Sequence, residues 1–332
     1  MRVRERRMEL GWTQAQLAER AGVSRQLVSA LESGRHEPGV SAALAIASAL
    51  GLSVEDLFGD PTTELDAVAV IGDSLPIGPV RVGRVRGRLA AVPVAPLDEL
   101  DGVTPDGRWT GSEVELLPAA QPAAVVVAGC EPALGLLAGT APKRQSVLWA
   151  RSSSGDARRA LLAGRAHAAT VHERSDRIPI PAEGIEAYEL ARWRVGLAFD
   201  HRLGSAADVV GAGGVVAQRE RSAASQTAFT RWLRRLGLRP PGGPRVGGHV
   251  AACQLVAAGA ADAGVTTEPA AIAAGLRFEA FEEHTVQLWC PRDLLAEQPL
   301  AALMDELVSS AFARRLGSLP GYDVALLGRR VA

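Results

Sequence analysis

The run from residue 13 to residue 34, TQAQLAERAGVSRQLVSALESG, constrains the fold of this chain more than any other stretch. Its apolar residues recur at helical spacing on both sides of a glycine, which predicts two short helices joined by a tight turn. Thr13 and Ser24 stand where helix N-caps belong, because a hydroxyl there accepts from a backbone N–H that has no partner inside the helix. Gly22 supplies the left-handed backbone conformation of the turn, since it has no Cβ. The run therefore predicts a helical hairpin.

The two predicted helices bury one face and expose another. Small Ala18 lets them approach closely, and Val28 and Leu31 of the second helix face back toward the first. The start of the second helix then presents an outward set of residues: Arg25, Gln26, Ser29 and Ala30. Cap, turn glycine, small crossing residue and outward polar set together are typical of a helix-turn-helix, whose second helix enters the major groove of DNA. The alternative interpretation is a plain helical hairpin inside a core.

Residues 2–58 resemble the Cro and phage-repressor (XRE-type) class of helix-turn-helix domains, including the segments SGRHEP and SAALAIASALG. The resemblance implies that Gln14 and Arg35 hold phosphates. It also implies that Arg25 and Gln26 read base edges, with arginine favouring guanine and glutamine favouring adenine. Ala30 offers only a methyl contact. The DNA-binding set implied by the resemblance is Gln14, Ser24, Arg25, Gln26, Ser29, Ala30 and Arg35.

Length and charge bound the organisation of the chain. Its 332 residues exceed one typical domain, and we expect two or three. The net charge of −1 gives no general attraction to nucleic acid, and residues 1–38 carry seven arginines against five glutamates. Affinity for an operator in double-stranded DNA must then come from a small local patch, doubled by dimerisation. We expect a homodimer on two half-sites about one helical turn apart.

The cysteines and the absence of long apolar runs bear on metals and location. Cys130, Cys253 and Cys290 are isolated, with no CxxC pair and no histidine-rich spacing. That pattern fits a reducing compartment and argues against both a disulfide framework and a zinc site. No signal peptide precedes the first helix, and no apolar run is long enough for a membrane span. We expect a soluble, cytoplasmic protein with no metal and no cofactor.

The residue pattern changes twice along the chain, which predicts three segments. Residues 1–60 form the all-α helix-turn-helix domain. Residues 61–120 include VRVGRVRGRLAAVPV, whose alternation of apolar and basic residues predicts a short β-rich connector. Its arginines either form the solvated face of a hairpin or touch DNA. In residues 121–332 strands alternate with helices, which predicts α/β units and a largely parallel sheet, with two separate strands at residues 276–281 and 285–290.

Six segments of that last part carry a second resemblance: GCEPALGLLAG, RSSSGDARRAL, HAATVHE, LARWRVGL, HVAACQLVAAGAADAGV and FARRLGSLPGYD. They are similar to the type 2 periplasmic-binding-protein fold, in the version fused behind repressor-type DNA-binding domains of bacterial regulators. Such proteins are often called molybdate-binding or substrate-binding-like. The resemblance implies two α/β lobes across a cleft, with ligands where strand ends meet helix N-termini, whose free N–H groups suit an anion. Closure of the lobes would then change the fused DNA-binding dimer.

Strand-to-helix junctions supply the candidate ligand-binding residues. Gly129 lets a backbone approach closely, a serine cluster offers hydroxyls to an oxyanion, and Thr170 ends the third strand. The full expected set is Gly129, Cys130, Ser152, Ser153, Ser154, Thr170, Arg221, Ser222, His249 and Thr266. Capping for the serines, packing for Cys130 and His249, and solvation for Arg221 are the competing interpretations. Glu131 is expected to complement the dipole of its own helix.

One departure from the relatives bears on the ligand. The segment RERSAASQT has alanine where relatives tend to have a glycine-containing turn. Alanine blocks close backbone approach, so the molybdate label is a weak guide to specificity.

The sequence favours a one-component bacterial transcriptional regulator that binds operator DNA and senses a small molecule or an oxyanion. The alternative is a DNA-binding regulator whose C-terminal part is a ligand-free dimerisation or partner-binding module. An enzyme is disfavoured because the sequence has no Walker loop, no GxSxG elbow and no paired metal ligands.

Overall fold

In a computed structural model, the chain divides into two compact units, Met1–Leu65 and Asp66–Ala332. The structure describes residues 2–33, 36, 38–52, 54–58, 67–94, 104–118, 120–140 and 147–331. Across these ranges, every helix is too short or too polar to cross a membrane.

The described residues of the first unit form five helices: α1 (Arg2–Glu9), α2 (Gln14–Ala21), α3 (Arg25–Glu32), α4 (Val40–Leu50) and α5 (Val54–Phe58). The predicted caps and turn are confirmed. The Thr13 hydroxyl accepts from the Gln16 N–H, and the Gln16 side chain accepts from the Thr13 N–H. Ser24 caps α3 through the Leu27 N–H, and Gly22 has a φ of 63°. Local chemistry therefore sets the bounds of both helices of the hairpin.

The core of the first unit lies among α1 to α5. Leu17, Val28, Leu31 and Ile46 are completely buried there. Burying one such side chain contributes about 1.5–3 kcal/mol relative to leaving it in water. Since the apolar faces of α2 and α3 are used in this core, the opposite face of α3 remains available for a partner.

The second unit begins with a five-stranded sheet in the order β1-β3-β2-β4-β5. Its strands are β1 (Val68–Ala69), β2 (Gly78–Val85), β3 (Arg88–Pro93), β4 (Gly107–Trp109) and β5 (Val114–Leu116). Strands β2 and β3 form a hairpin whose turn residues Arg86 and Gly87 both have positive φ, as a two-residue turn requires. The predicted β-rich segment is therefore present, and its exposed turn arginine pairs with Asp293.

A larger, mixed sheet follows in the order β11-β10-β12-β9-β13-β8-β6-β7, with β14 beside β9. Its strands are β6 (Val125–Gly129), β7 (Val147–Arg151), β8 (Ala168–Glu173), β9 (Ile185–Phe199), β10 (Val216–Arg219), β11 (Arg245–Val246), β12 (Ala263–Thr267), β13 (Arg277–Pro291) and β14 (Arg330–Val331). The helices around it are α6 (Ala133–Thr140), α7 (Ser154–Leu162), α8 (Ala206–Gly211), α9 (Ala224–Leu236), α10 (His249–Ala257), α11 (Glu268–Ala273), α12 (Gln298–Leu307) and α13 (Ser310–Gly317).

Two long strands join two parallel groups within this sheet. Strands β6, β7 and β8 are parallel to one another, as are β10, β11 and β12. Between these groups run β9 and β13, 15 residues each and antiparallel to each other. The expectation of a largely parallel sheet is therefore correct for the two outer groups and wrong at the centre, where the chain passes from one group to the other along β9 and β13.

The prediction of two separate strands near the end of the chain is wrong, because β13 is continuous. The pairing of β13 with β9 shifts register between Ala280 and Glu282. Such a bulge leaves one residue unpaired and lets the strand continue past the polar residues that predicted a break. The polar side chain of Glu282 faces Arg231 instead of solvent. A charged residue at this point therefore marks an internal ion pair and not a turn.

A buried histidine makes the stability of the second unit depend on pH. His167 is 4% exposed, and its Nδ1 accepts a hydrogen bond of 2.9 Å from the Val126 N–H. Burial, followed by the positive charge of Arg86, lowers the pKa of His167 from 6.5 to about 4. The unfolded chain therefore binds the extra proton first, so the contribution of His167 is fully present above about pH 6.5 and is lost as the pH falls toward about 4.

We expect His167 alone to remove about 1 kcal/mol of unfolding free energy between about pH 7 and about pH 5.5. Urea unfolding of the wild type and of His167→Asn at both pH values measures this loss. The asparagine oxygen takes the position of Nδ1 and accepts from Val126 but does not titrate. Identical pH dependence in the two proteins would contradict the assignment.

Candidate functional site

The N-terminal end of α3 presents the predicted DNA-contacting face. Ser24, Arg25, Gln26 and Ser29 are exposed, and Ala30 is half-buried. Arg35 lies outside the described residues. Side chains at this end point away from the apolar core, as base-reading residues of a recognition helix do.

Glu32, at the other end of α3, holds the helix against α1 and α2. Its carboxylate accepts from Arg7 at 2.6 and 2.9 Å and from the Gln14 amide at 2.9 Å. Burial would raise the pKa of Glu32, but the hydrogen bonds from Arg7 and Gln14 outweigh it and hold that pKa below its usual range. Gln14, predicted to hold a phosphate, is thus engaged with Glu32 through its side chain. These bonds fix the orientation of α3 within the unit.

In the second unit, segments that connect strands to helices bring the two strand groups into contact. Ser153 caps α7. Its hydroxyl donates to Asp156 Oδ2 at 2.6 Å and lies 3.0 Å from Ser222 Oγ. The Ser222 hydroxyl lies 3.1 Å from the same Asp156 oxygen. The expected junction residues Ser153 and Ser222 are therefore brought together from opposite sides, which we call the serine contact.

Behind the serine contact lies a buried cluster of four residues: Cys130, His172, Arg219 and His249. Cys130 Sγ is 3.2 Å from His172 Nε2. Arg219 NH1 donates to His249 Nδ1 at 2.8 Å, and its other nitrogens pair with Glu220. The rings of His172 and His249 are 5.8 Å apart. This cluster joins Cys130, which follows β6, and His172 of β8 to Arg219 of β10 and His249 of α10.

Titration of the cluster is suppressed at neutral pH. Burial first, and neighbouring positive groups second, lower the pKa values of His172 and His249 well below the usual value. Burial also raises the pKa of the Cys130 thiol to about 12. The two imidazoles and the thiol are therefore neutral near pH 7.

Glu131 is buried beside the cluster and serves its own helix, as predicted. One oxygen accepts from the Ala133 N–H at 2.9 Å, and the other accepts from Trp193 Nε1 at 2.7 Å. The Tyr322 hydroxyl donates to the first oxygen. Burial raises the pKa of Glu131. Both oxygens of Glu131 thus accept hydrogen bonds from groups of this chain, and we assign Glu131 a positioning role.

The buried polar atoms that have no hydrogen-bond partner among the described residues include Ser152 Oγ, Thr170 Oγ1, Ser225 Oγ and His249 Nε2. Two come from the first strand group and two from the second. A buried polar atom left unsatisfied costs about 1–3 kcal/mol, and native proteins rarely leave one so. These four atoms are therefore candidates for partners supplied by a bound molecule.

Other predicted ligand residues have structural roles here. The Ser154 hydroxyl accepts from the His172 N–H at 3.1 Å, and the Thr266 hydroxyl donates to the His249 carbonyl at 3.0 Å. Gly129 approaches Thr170 closely, since a Cβ at Gly129 would lie 1.8 Å from the threonine Oγ1. Arg221 is exposed and lies outside the buried cluster. Arg219, two positions earlier, is the arginine inside it.

Thr170 lies within β8 and not at its end, because the strand continues to Glu173. That extension also carries His172 into the cluster, a residue that sequence reasoning missed. His284 was missed as well, and its Nδ1 lies 2.9 Å from His172 Nδ1. The alternation of inward and outward residues along HAATVHE places Thr170 and His172 on the same face, which is the signal that would have found His172.

Among the residues that the structure describes, two groups of side chains have the donor atoms to hold a metal ion. One is Cys130 with His172 and His249, and the other is Glu173 with Glu282 and His284. Arg231 already pairs with both carboxylates of the second group. That guanidinium satisfies the two acids, so the first group is the stronger metal candidate.

Comparisons with known proteins match two separate parts of the chain. A family model described as helix-turn-helix matches residues 3–57, and a model described as the PBP superfamily domain matches residues 136–308. An uncharacterized HTH-type transcriptional regulator of Methanothermobacter thermautotrophicus is 54% identical over 57 residues, which are 17% of this chain and 83% of that protein. The HTH-type regulator YgzD of Bacillus subtilis is 40% identical over 57 residues, 17% of this chain and 86% of that protein.

Among solved structures, this chain is similar over part of its length to the regulatory domain of MetR, a LysR family regulator from N. meningitidis. The TM-score is 0.43 and the identity 14%, with 60% of this chain and 96% of that chain covered.

Proposed function

The chain belongs to the HTH-type transcriptional regulators and to the PBP superfamily, and we propose that it is a one-component regulator in which a small ligand bound by the second unit changes operator binding by the first. We further propose that it acts in the cytoplasm as a homodimer, since the small positive excess of the first unit would be doubled on two half-sites.

The exposed start of α3 supports the reading of DNA. Arg25 and Gln26 stand at the first two positions of that helix, outside the apolar core. Glu32 anchors the far end of α3 to α1 and α2, so the reading side chains are presented by a rigid element. A rigid helix that carries exposed arginine and glutamine at its N-terminus fits direct reading of guanine and adenine edges.

The observation that carries the sensing proposal is the set of four buried, unpartnered atoms, two on each strand group or the segment that follows it. A module that served only dimerisation would have no need to keep these groups unsatisfied in its interior. A bound ligand would satisfy them and would also bear on the serine contact, which joins the two strand groups. Ligand binding and the shape of the second unit would thereby be coupled.

Thr170→Val tests the sensing proposal because it removes an unpartnered hydroxyl while keeping the shape of the side chain. We expect the variant to unfold at the same temperature as the wild type or higher, since no hydrogen bond is lost. We expect it to lose the thermal stabilisation that a bound ligand gives. Thermal unfolding of the full-length protein with molybdate, sulfate or phosphate measures both effects.

Thr266→Val is the matched control, because its buried hydroxyl has partners. It should lower the unfolding temperature through a loss of about 1 kcal/mol and keep the ligand-dependent shift. An equal ligand-dependent shift in Thr170→Val would place the ligand elsewhere. Unchanged operator affinity with every compound that stabilises the protein would favour the ligand-free module.

A further inference from the structure

Three side chains that favour late transition metals meet inside the second unit. The sulfur of Cys130 and one ring nitrogen each of His172 and His249 all lie within 4.8 Å of one another. All three residues are buried, and thiolate and imidazole are the donors that zinc prefers. We propose that Cys130, His172 and His249 bind one divalent ion of the zinc type, and that this ion is an effector of the second unit.

The first two donors are already close to coordinating distance. Cys130 Sγ and His172 Nε2 are 3.2 Å apart, whereas the same atoms on a tetrahedral zinc ion would be roughly 3.5 Å apart, given bonds of about 2.3 Å to sulfur and 2.0 Å to nitrogen. The pair therefore needs to open only slightly. Binding breaks the sulfur–hydrogen bond of Cys130, forms a sulfur–metal bond and releases the proton to solvent.

A hydrogen-bonded relay turns the correct nitrogen of His172 toward the site. The Glu282 carboxylate accepts from His284 Nε2 at 2.9 Å. In its neutral form His284 donates through Nε2 alone, so that its Nδ1 then accepts from His172 Nδ1, which lies 2.9 Å away. The lone pair of His172 Nε2 is then left on the side of Cys130. Histidine ligands of metals are oriented in this way by a partner on their other nitrogen.

His249 links the proposed ion to the contact between the strand groups. A guanidinium only donates, so the Arg219 bond to His249 Nδ1 leaves the proton on Nε2, the atom without a partner. To bind the ion, His249 exchanges its bond with Arg219 for a bond to the metal. Arg219 also pairs with Glu220, two residues before Ser222 of the serine contact. The inference that metal binding changes the contact between the strand groups by this route rests on the proposed function. The inference that the metal binds does not.

The surrounding charges are compatible with a cation. The positive charge of Arg219 near Cys130 opposes the binding of a cation, whereas the carboxylates of Glu131 and Glu220 favour it. The thiolate formed on binding neutralises one charge of the ion. Three protein ligands leave a fourth coordination position open, as in zinc sites that exchange their fourth ligand. A reversible site of this kind suits a sensor better than a closed structural site does.

Cobalt(II) is the probe, because it replaces zinc and gives a sulfur-to-cobalt charge-transfer band only when a thiolate binds it. We expect titration of reduced, metal-free, full-length protein to give this band with saturation at one cobalt per chain, and zinc to abolish it. Cys130→Ser should lose the band. His284→Phe, which removes the partner of His172 Nδ1, should weaken cobalt binding by about 10- to 100-fold and keep the band.

Cys290→Ser is the matched control, because this cysteine is buried against Met304 and is not among the proposed ligands. It should keep both the band and the affinity. If the wild type forms no sulfur-to-cobalt band, the proposed metal site is refuted. A band that survives in Cys130→Ser would refute it as well. If the band forms as expected but zinc leaves operator affinity unchanged, the site stands and its role as effector is refuted. If another ligand changes operator affinity and no band forms, the proposed function stands and the metal site is refuted.

Discussion

Arg25→Ala is expected to lower operator affinity by roughly 1–3 kcal/mol, or about 5- to 150-fold, and to relax the preference at one base position. Arg25 is the first residue of α3, is exposed, and is absent from the core of the first unit. A bidentate arginine pair with guanine contributes about this much discrimination against the wrong base. The operator is obtained by selecting bound sequences from random duplexes with the full-length protein, and affinities are then measured for single-base variants at fixed salt.

Arg20→Ala is the control for this experiment. Arg20 carries the same charge in the same unit, but it lies over the Trp12 ring at 4.3 Å and not at the start of α3. Its removal should weaken binding slightly and equally for all sequences, without changing the preferred base at any position. Unchanged selectivity in Arg25→Ala would remove the base-reading assignment of Arg25.

Gly129→Ala is expected to destabilise the second unit by roughly 3 kcal/mol or more. Gly129 has a φ of 145°, which a residue with a Cβ rarely adopts, and that Cβ would lie 1.8 Å from Thr170 Oγ1 and 3.0 Å from Thr170 Cβ. Relief requires movement of β6 against β8, and the Cys130–His172 contact spans these strands. Urea unfolding should therefore shift to lower denaturant, and ligand or cobalt binding should weaken together with stability.

Gly242→Ala provides the comparison, because an added Cβ there meets no atom within 4 Å. Its unfolding free energy should stay within about 0.5 kcal/mol of the wild type. If Gly129→Ala were as stable as Gly242→Ala, the close packing of β6 against Thr170 would be wrong, and with it the geometry of the buried cluster.

The first unit was predictable because its determinants are local. Thr13, Gly22 and Ser24 act on the backbone within a few residues, and each does in the structure what its side chain predicts. The two strand groups of the second unit were predictable for the same reason, from short apolar runs followed by helix caps. The long central strands were harder to predict. A polar residue at Glu282 predicts a turn between two strands, and its ion pair with Arg231 is known only from the structure.

The buried cluster depends on contacts that no local pattern contains. Cys130 and His172 are 42 positions apart, and His172 and His284 are 112 apart. Isolated cysteines and histidines in a sequence argue against a metal site only when ligands are sought at short spacing. Adjacent strands in the sheet bring such residues together, so the order of the strands, and not the spacing along the chain, decides which side chains meet.

The central claim is that the N-terminal end of α3 is how this chain meets operator DNA, under the control of the second unit. Selection from random duplexes at moderate salt tests it most directly, because phosphate contacts alone enrich no sequence. The account predicts one enriched sequence with two half-sites about one helical turn apart. Recovery of the pool without any preference, both for metal-free protein and after zinc is added, would contradict it.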